Sequence, residues 1–219
     1  MRHILLSIIS IVFFVRLSYA ADYWTYREVT ENIIIVYNVS VIERSTETTT
    51  IQVTGGRVKQ IHKINNADGS TLGWQMIKSG KMVKAVRNGN TIELRVHNDG
   101  NTESRILKID EKPWIQFMGW GLQWFAGRPK VKSREFWIFK LTDLSINTLF
   151  AEKKGEEEIK IGDQKYDAAK IRVSVPGWVS KFWGVHIWFR KEDGFYLRFK
   201  GANGPPGTPI TTTEWIQAP

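Results

Sequence analysis

The chain has 219 residues, with 31 Lys and Arg against 22 Asp and Glu, and its formal charge of +9 stays positive once Arg2 and Arg16 are removed. It contains no cysteine, which excludes thiol catalysis, thiolate metal sites and a disulfide-stapled fold, so an exported chain of this kind must rely on its apolar core. The length suits one domain with a real core and does not require a second.

The first twenty residues read as a secretory signal. Arg2 and His3 give a short basic start and Ile4 to Val15 an apolar run too short to span a bilayer; Arg16 interrupts it, and Ser18 and Ala20 supply small residues for cleavage. Residues 1–20 are therefore expected to be removed, leaving 21–219 as one mature β-rich domain without a transmembrane segment. Ala21, not cysteine, follows the cleavage site, so no lipid anchor is expected there. Export without cysteine points to the bacterial periplasm. There the basic surface would meet anionic lipid or other envelope polyanions by peripheral contact, and nucleic acid is not an expected partner.

From residue 23 the chain alternates apolar and polar residues between turn signals, the pattern of antiparallel strands joined by hairpins. Strands are predicted near 23–30, 32–43, 47–54, 57–65, 71–78, 81–88, 90–97 and 102–109. The clearest is Ile92, Leu94 and Val96 alternating with Glu93, Arg95 and His97, between Asn88-Gly89 and Asn98-Asp99-Gly100. Residues 112–127 break the pattern: Trp114, Phe117, Trp120, Trp124 and Phe125 are apolar around any helix, and Gly119 and Gly121 interrupt them. A buried or capping connection with at most a short helix is expected. Strands resume near 133–142, 147–153, 156–161, 165–175, 184–191 and 195–201, and a last one near 211–216 follows the proline-rich loop 201–209. So many antiparallel strands cannot lie flat. The expected fold is all-β, a single curved antiparallel sheet forming a half-barrel or barrel-like wrap, with an apolar concave side.

Recognisable catalytic chemistry is sparse. No Gly-x-Ser-x-Gly, phosphate loop or dinucleotide fingerprint occurs, and His62, His97 and His186 stand alone in strand-like runs without metal-ligand spacing. Asn66-x-Asp68-Gly69 reads as a turn, and Glu156 to Glu158 as a solvated hairpin. No cofactor, metal or catalytic residue is expected. An envelope glycan enzyme is the rival reading, with Asp193 or Glu135 as its best carboxylates.

The chain's ten Trp are concentrated at 114–137 and 178–188; core packing is the ordinary use of such residues, and wet-edged pockets and interfaces favour them as well. Arg128, Lys130, Lys132 and Arg134 follow at spacing two, which in an extended chain puts all four on one side. Trp114, Phe117, Trp120, Trp124, Trp183 and Trp188 are thus candidate contacts for an apolar or amphipathic, lipid-like ligand. The four cations are candidate contacts for its anionic head group. The alternative is a scaffold that holds another envelope protein on a sheet edge or aromatic patch.

Tyr166-Asp-Ala-Ala-Lys-Ile-Arg, Val185-His-Ile-Trp-Phe-Arg, Glu192-Asp-Gly-Phe-Tyr-Leu-Arg-Phe-Lys and Gly204-Pro-Pro-Gly-Thr-Pro resemble the closing hairpins of uncharacterised bacterial periplasmic domains, domain of unknown function 3108 and its relative 6134. The resemblance covers roughly 160–215. It implies an envelope location and a curved β architecture similar in spirit to lipoprotein carriers, with no catalytic residues to transfer.

Overall fold

The structure, a computed structural model, describes residues 22–140, 142–177, 180, 183–202, 204 and 207–216. Residues 1–20, read as a secretory signal in the sequence, and Trp178 lie outside the described residues.

Eight strands come first: β1 (Tyr23–Thr30), β2 (Ile33–Arg44), β3 (Thr48–Gly55), β4 (Val58–Asn65), β5 (Thr71–Lys78), β6 (Lys81–Asn88), β7 (Thr91–Asn98) and β8 (Asn101–Lys108). Two four-residue helices, α1 (Met118–Gly121) and α2 (Gln123–Ala126), lie in the Trp-rich connection. Six strands follow: β9 (Ser133–Phe139), β10 (Ile146–Ile161), β11 (Gln164–Ser174), β12 (Val185–Arg190), β13 (Tyr196–Ala202) and β14 (Ile210–Ile216). All belong to one unclosed antiparallel sheet of order β8-β7-β6-β5-β4-β3-β2-β1-β14-β13-β12-β11-β10-β9. Three hairpins turn on residue pairs with positive φ, Gly56-Arg57, Ser79-Gly80 and Asp99-Gly100. This is the geometry whose twist matches that of the flanking strands.

The strand order explains the aromatic connection. The chain runs outward from β1 to β8 and then back from β9 to β14, so β8 and β9 are opposite edges and 109–132 must cross the concave side between them. The middle of this segment, 114–125, has no exposed residue, and its sequence there is accordingly apolar nearly all round. Trp114, Ile115, Leu122 and Phe125 are fully buried. The backbone of this segment is hydrogen-bonded on both sides: Ile115 N–H donates to the Trp137 carbonyl at 2.8 Å, and Thr71 N–H donates to the Trp114 carbonyl at 2.6 Å. At Gly69, where φ is +73°, and at Gly121 the two backbones approach so closely that a Cβ on either would strike the other residue's carbonyl oxygen.

Inward-facing residues form two concave cores. One packs Trp74, Val83, Ala85, Ile92 and Leu94 against Trp114 and Phe139, with the Phe139 ring 5.9 Å from Trp74 and 5.4 Å from Trp114. The other packs Val39, Ile171, Val173, Ile187 and Phe189 under Ile115, Leu122 and Phe125.

The expected strands at 147–153 and 156–161 are one strand, β10, with its pairing to β11 shifted between Lys153 and Gly155. Gly155 has a φ of +115°, a value that glycine adopts without a Cβ clash. Beyond this bulge the β10–β11 hairpin lies over the outer face of β12–β14, where Ile159 and Ile161 join Trp188 and Leu197 in a third cluster. Outward-facing residues of β11 are not all solvated. Ser174 is buried and the Lys170 ammonium lies 5.3 Å from the centre of the Trp188 ring.

Candidate functional site

On the concave face β1–β4 and β12–β14 leave an open pocket of about 270 Å³ beneath Gln116–Gly119. Its walls are Tyr26 and Glu28 of β1, Tyr37 and Val39 of β2, Val53 of β3, Gln60 and His62 of β4, Ile187 of β12, Tyr196 and Phe199 of β13, and Thr213 of β14. The register places them together, because Tyr26 faces Tyr37 across one ladder and Glu28 faces Thr213 across the other. Gln116, Phe117, Met118 and Gly119 form the roof. Gln116 is fixed by accepting from Trp114 Nε1 at 3.1 Å and from Phe139 N–H at 2.9 Å. Gly119 sits where a Cβ would meet the Tyr196 ring at 2.8 Å, so only glycine lets the roof come down on that ring.

The aromatic wall is tightly ordered. Tyr196 stacks on Tyr26 with ring centres 5.0 Å apart, and the Tyr26 hydroxyl donates to the Tyr196 carbonyl at 3.0 Å. Burial holds both phenols well above their ordinary value. Glu28 accepts from the Tyr37 hydroxyl at 3.4 Å and from Thr213 Oγ1 at 3.2 Å. Burial first, then the charge of Glu28, raises the Tyr37 phenol to about 12. His62 is buried with its ring 5.4 Å from Phe117. Among the described residues its Nδ1 has no hydrogen-bond partner, and burial pushes the imidazole down to about 3, so the ring is neutral.

Of the aromatic residues singled out in the sequence, Phe117 lines this pocket. Trp114 is core, with no exposed surface. Trp120 packs 5.2 Å from Trp24, and Trp183 Nε1 donates to the Gly204 carbonyl at 2.6 Å. Trp188 faces the outer side of the sheet, donating to Glu157 Oε1 at 2.6 Å. Trp124 lies between two guanidiniums, Arg128 at 4.1 Å and Arg134 at 4.7 Å from its ring centre.

The basic ridge is not the extended row that its spacing implies. Pro129 turns the chain, with Val131 N–H donating to the Arg128 carbonyl at 3.1 Å, and regular strand begins only at Ser133. Arg134 points inward, its side chain 12 % exposed beside Asp68. Lys130 and Lys132 are exposed, and none of the four residues lines the pocket. The rival carboxylates stand on the surface: Asp193 accepts from Arg190 Nη2 at 2.6 Å in the β12–β13 turn, and Glu135 lies 3.9 Å from the Lys112 ammonium. Among the described residues no group of three or more His, Asp or Glu has the arrangement of a metal site.

Sequence reasoning missed Glu28, Tyr37, Gln60, Tyr196 and Thr213, and it treated His62 as an ordinary strand histidine. The available signal was phase. Gln60 and His62 share the inward phase of β4 with Val58 and Ile64, and Glu28 shares that of β1 with Trp24 and Tyr26. Polar side chains inside an apolar phase are costly in a core and useful in a pocket.

No family model matches the chain, and no curated protein matches it. In fold it is similar to a β-barrel-like protein of domain of unknown function 1849 from Brucella abortus, with a TM-score of 0.57 and 8% identity over 90% of this chain and 95% of that one. It also aligns with the hypothetical lipoprotein YmcC of Escherichia coli K12, at TM-score 0.36, 11% identity and coverage of 90% and 85%. A family 1329 protein of unknown function from Desulfovibrio piger aligns at TM-score 0.31, 10% identity and coverage of 89% and 83%. The chain is thus an all-β domain of the unclosed, β-barrel-like kind. The likeness to the family 1849 protein is one of fold, and nothing found supports 3108 or 6134 in particular, so the resemblance read over 160–215 extends to architecture alone.

Proposed function

We propose that the chain is a non-catalytic exported protein of the bacterial envelope, which holds an apolar or amphipathic ligand of modest size on its concave sheet. The observation that carries this reading is the pocket beneath Gln116–Gly119, whose walls are mostly aromatic and aliphatic with a few convergent polar groups, the usual make-up of a small-molecule site. Its volume, about 270 Å³, lies just under the usual range of ~300–1,000 Å³, which favours one short chain or ring over a multi-acyl lipid. A larger cleft beside β7–β8 is lined by charged residues, among them Arg105 and Glu103, which pair at 3.0 Å, and it suits water better. A periplasmic location is supported by the signal-like segment 1–20 and the absence of cysteine.

Solvent extraction of protein purified from envelopes, followed by mass spectrometry, tests the reading. A small apolar species in near-stoichiometric amount is expected, and its absence contradicts the proposal. The scaffold alternative has its own support in exposed apolar residues near the β1–β2 turn, Ile33 at 63%, Ile34 at 65% and Ile210 at 55%. Cross-linking in intact envelopes that Ile33→Asp with Ile34→Asp abolishes, leaving extraction unchanged, would favour it.

A further inference from the structure

Building on the pocket reading above, we infer that the ligand carries an ammonium group, recognised by Glu28 under the roof that Phe117 helps to form, and not an anionic head. The charge inside the pocket sets the sign. Glu28 supplies its carboxylate, and no Lys or Arg is among the described residues that line it. The two donors that reach this carboxylate, Tyr37 Oη and Thr213 Oγ1, are uncharged and stand 3.4 and 3.2 Å away. A carboxylate accepts at about four lone-pair positions, so each oxygen keeps room for a further donor. Among the described residues Glu28 has no ion-pair partner. The arginines that follow the roof in sequence are engaged elsewhere, Arg134 with Asp68 and both Arg128 and Arg134 on Trp124.

Two further features agree with a cationic guest. Phe117 in the roof brings an aromatic ring to the same space, while Tyr26 and Tyr196 are stacked on each other; a cation within about 6 Å of a phenyl face is attracted to it, more strongly where water is excluded. His62, buried on the same wall, presents an Nδ1 that no group among the described residues satisfies, and its neutral ring adds no positive charge to compete with the guest. An anionic head would meet Glu28 with no Lys or Arg among the described lining residues to offset it, and Arg190, whose charge reaches Tyr26, is already forked onto Asp193.

Three probes with one eight-carbon chain and different heads separate the possibilities: n-octylamine (an ammonium at pH 7), 1-octanol and octanoate, each titrated calorimetrically into the mature protein. Octylammonium is expected to bind at least about tenfold more tightly than octanol, and octanoate more weakly than octanol. Glu28→Gln should bring octylammonium to the octanol level and leave octanol itself within about twofold. Octanoate binding as tightly as octylammonium overturns the inference, and so does a folded Glu28→Gln protein with unchanged octylammonium affinity. If that variant does not fold, the wild-type series decides alone. If octanol binds and the heads make no difference, the pocket stands and the ammonium assignment falls; if none of the three binds, the pocket reading fails as well. n-Octylphosphoethanolamine, which has a single chain and a primary ammonium and is used below its micellar concentration, then fixes the source. Affinity like that of octylammonium assigns the group to a lipid head, and affinity at the octanol level assigns it to a free amine.

Discussion

Arg134 on β9 reaches 66 residues back along the chain to Asp68, donating Nη1 to its carbonyl at 2.6 Å and Nη2 to its carboxylate at 3.3 Å. β9 is one edge of the sheet and Asp68 lies in the turn between β4 and β5. This fork therefore ties two distant parts of an unclosed sheet across the crossing segment, a job that strand pairing does in a closed barrel. Burial pulls the guanidinium down and Asp68 opposes that pull. Arg134→Ala should cost about 2–3 kcal/mol in urea unfolding. Asp68→Asn should cost clearly less, since the shorter bond goes to the main chain. Equal costs would place the closure in the ion pair.

Gly119 and Tyr196 give a second prediction. A Cβ at 119 would stand 2.8 Å from the Tyr196 ring, which is backed by Tyr26, so Gly119→Ala must push aromatic surface toward the pocket. A loss of about 1–3 kcal/mol is expected, together with weaker octanol binding. Gly127→Ala, whose Cβ would find its nearest neighbour at 3.6 Å, should leave binding as it is. Unfolding curves and calorimetry on both variants check this.

His62 makes stability depend on pH. Its imidazole is pushed by burial from 6.5 to about 3 in the folded protein. Above 6.5 neither state binds the proton; below it the unfolded chain does and the folded chain does not, so stability falls as pH drops. The slope should approach about 1.4 kcal/mol per pH unit between roughly 6 and 4. His62→Leu should flatten it. His186 is shifted in the same direction, by burial and then by Lys170 and Arg172, so His186→Gln serves as the comparison. An undiminished slope in His62→Leu would place the proton uptake elsewhere.

Gly155 sets the bend of β10. No other atom lies within 4 Å of a Cβ built there, so Gly155→Ala isolates the backbone cost of its positive φ, about 1–3 kcal/mol. Hydrogen exchange should quicken at 156–168 before it does in the rest of β11.

Strand positions were legible because each strand carries its own pattern: Ile92, Leu94 and Val96 are buried, and the Asp99-Gly100 turn takes the positive φ values its residues suggest. Gly155 was ambiguous, since positive φ serves a turn and a bulge equally well. A local pattern cannot tell that the outer face of β12–β14, with Trp188 and Leu197, is covered by the β10–β11 hairpin folding back over it. The pocket was harder still. Glu28 and Thr213 are 185 residues apart and meet only because β1 pairs with β14. The abundant tryptophans drew attention to the crossing segment, where Trp114 is core, while the pocket wall is built on the tyrosine pair Tyr26 and Tyr196.

The most direct test of the central claim is a methyl-selective NMR titration of the mature protein with 1-octanol. The largest shift changes should fall on Val39, Val53, Met118 and Ile187, which line the pocket, and they should saturate together and shrink in Gly119→Ala. Changes concentrated instead at Ile33, Ile34 and Ile210, or unaffected by Gly119→Ala, would contradict a ligand site beneath the Gln116–Gly119 roof.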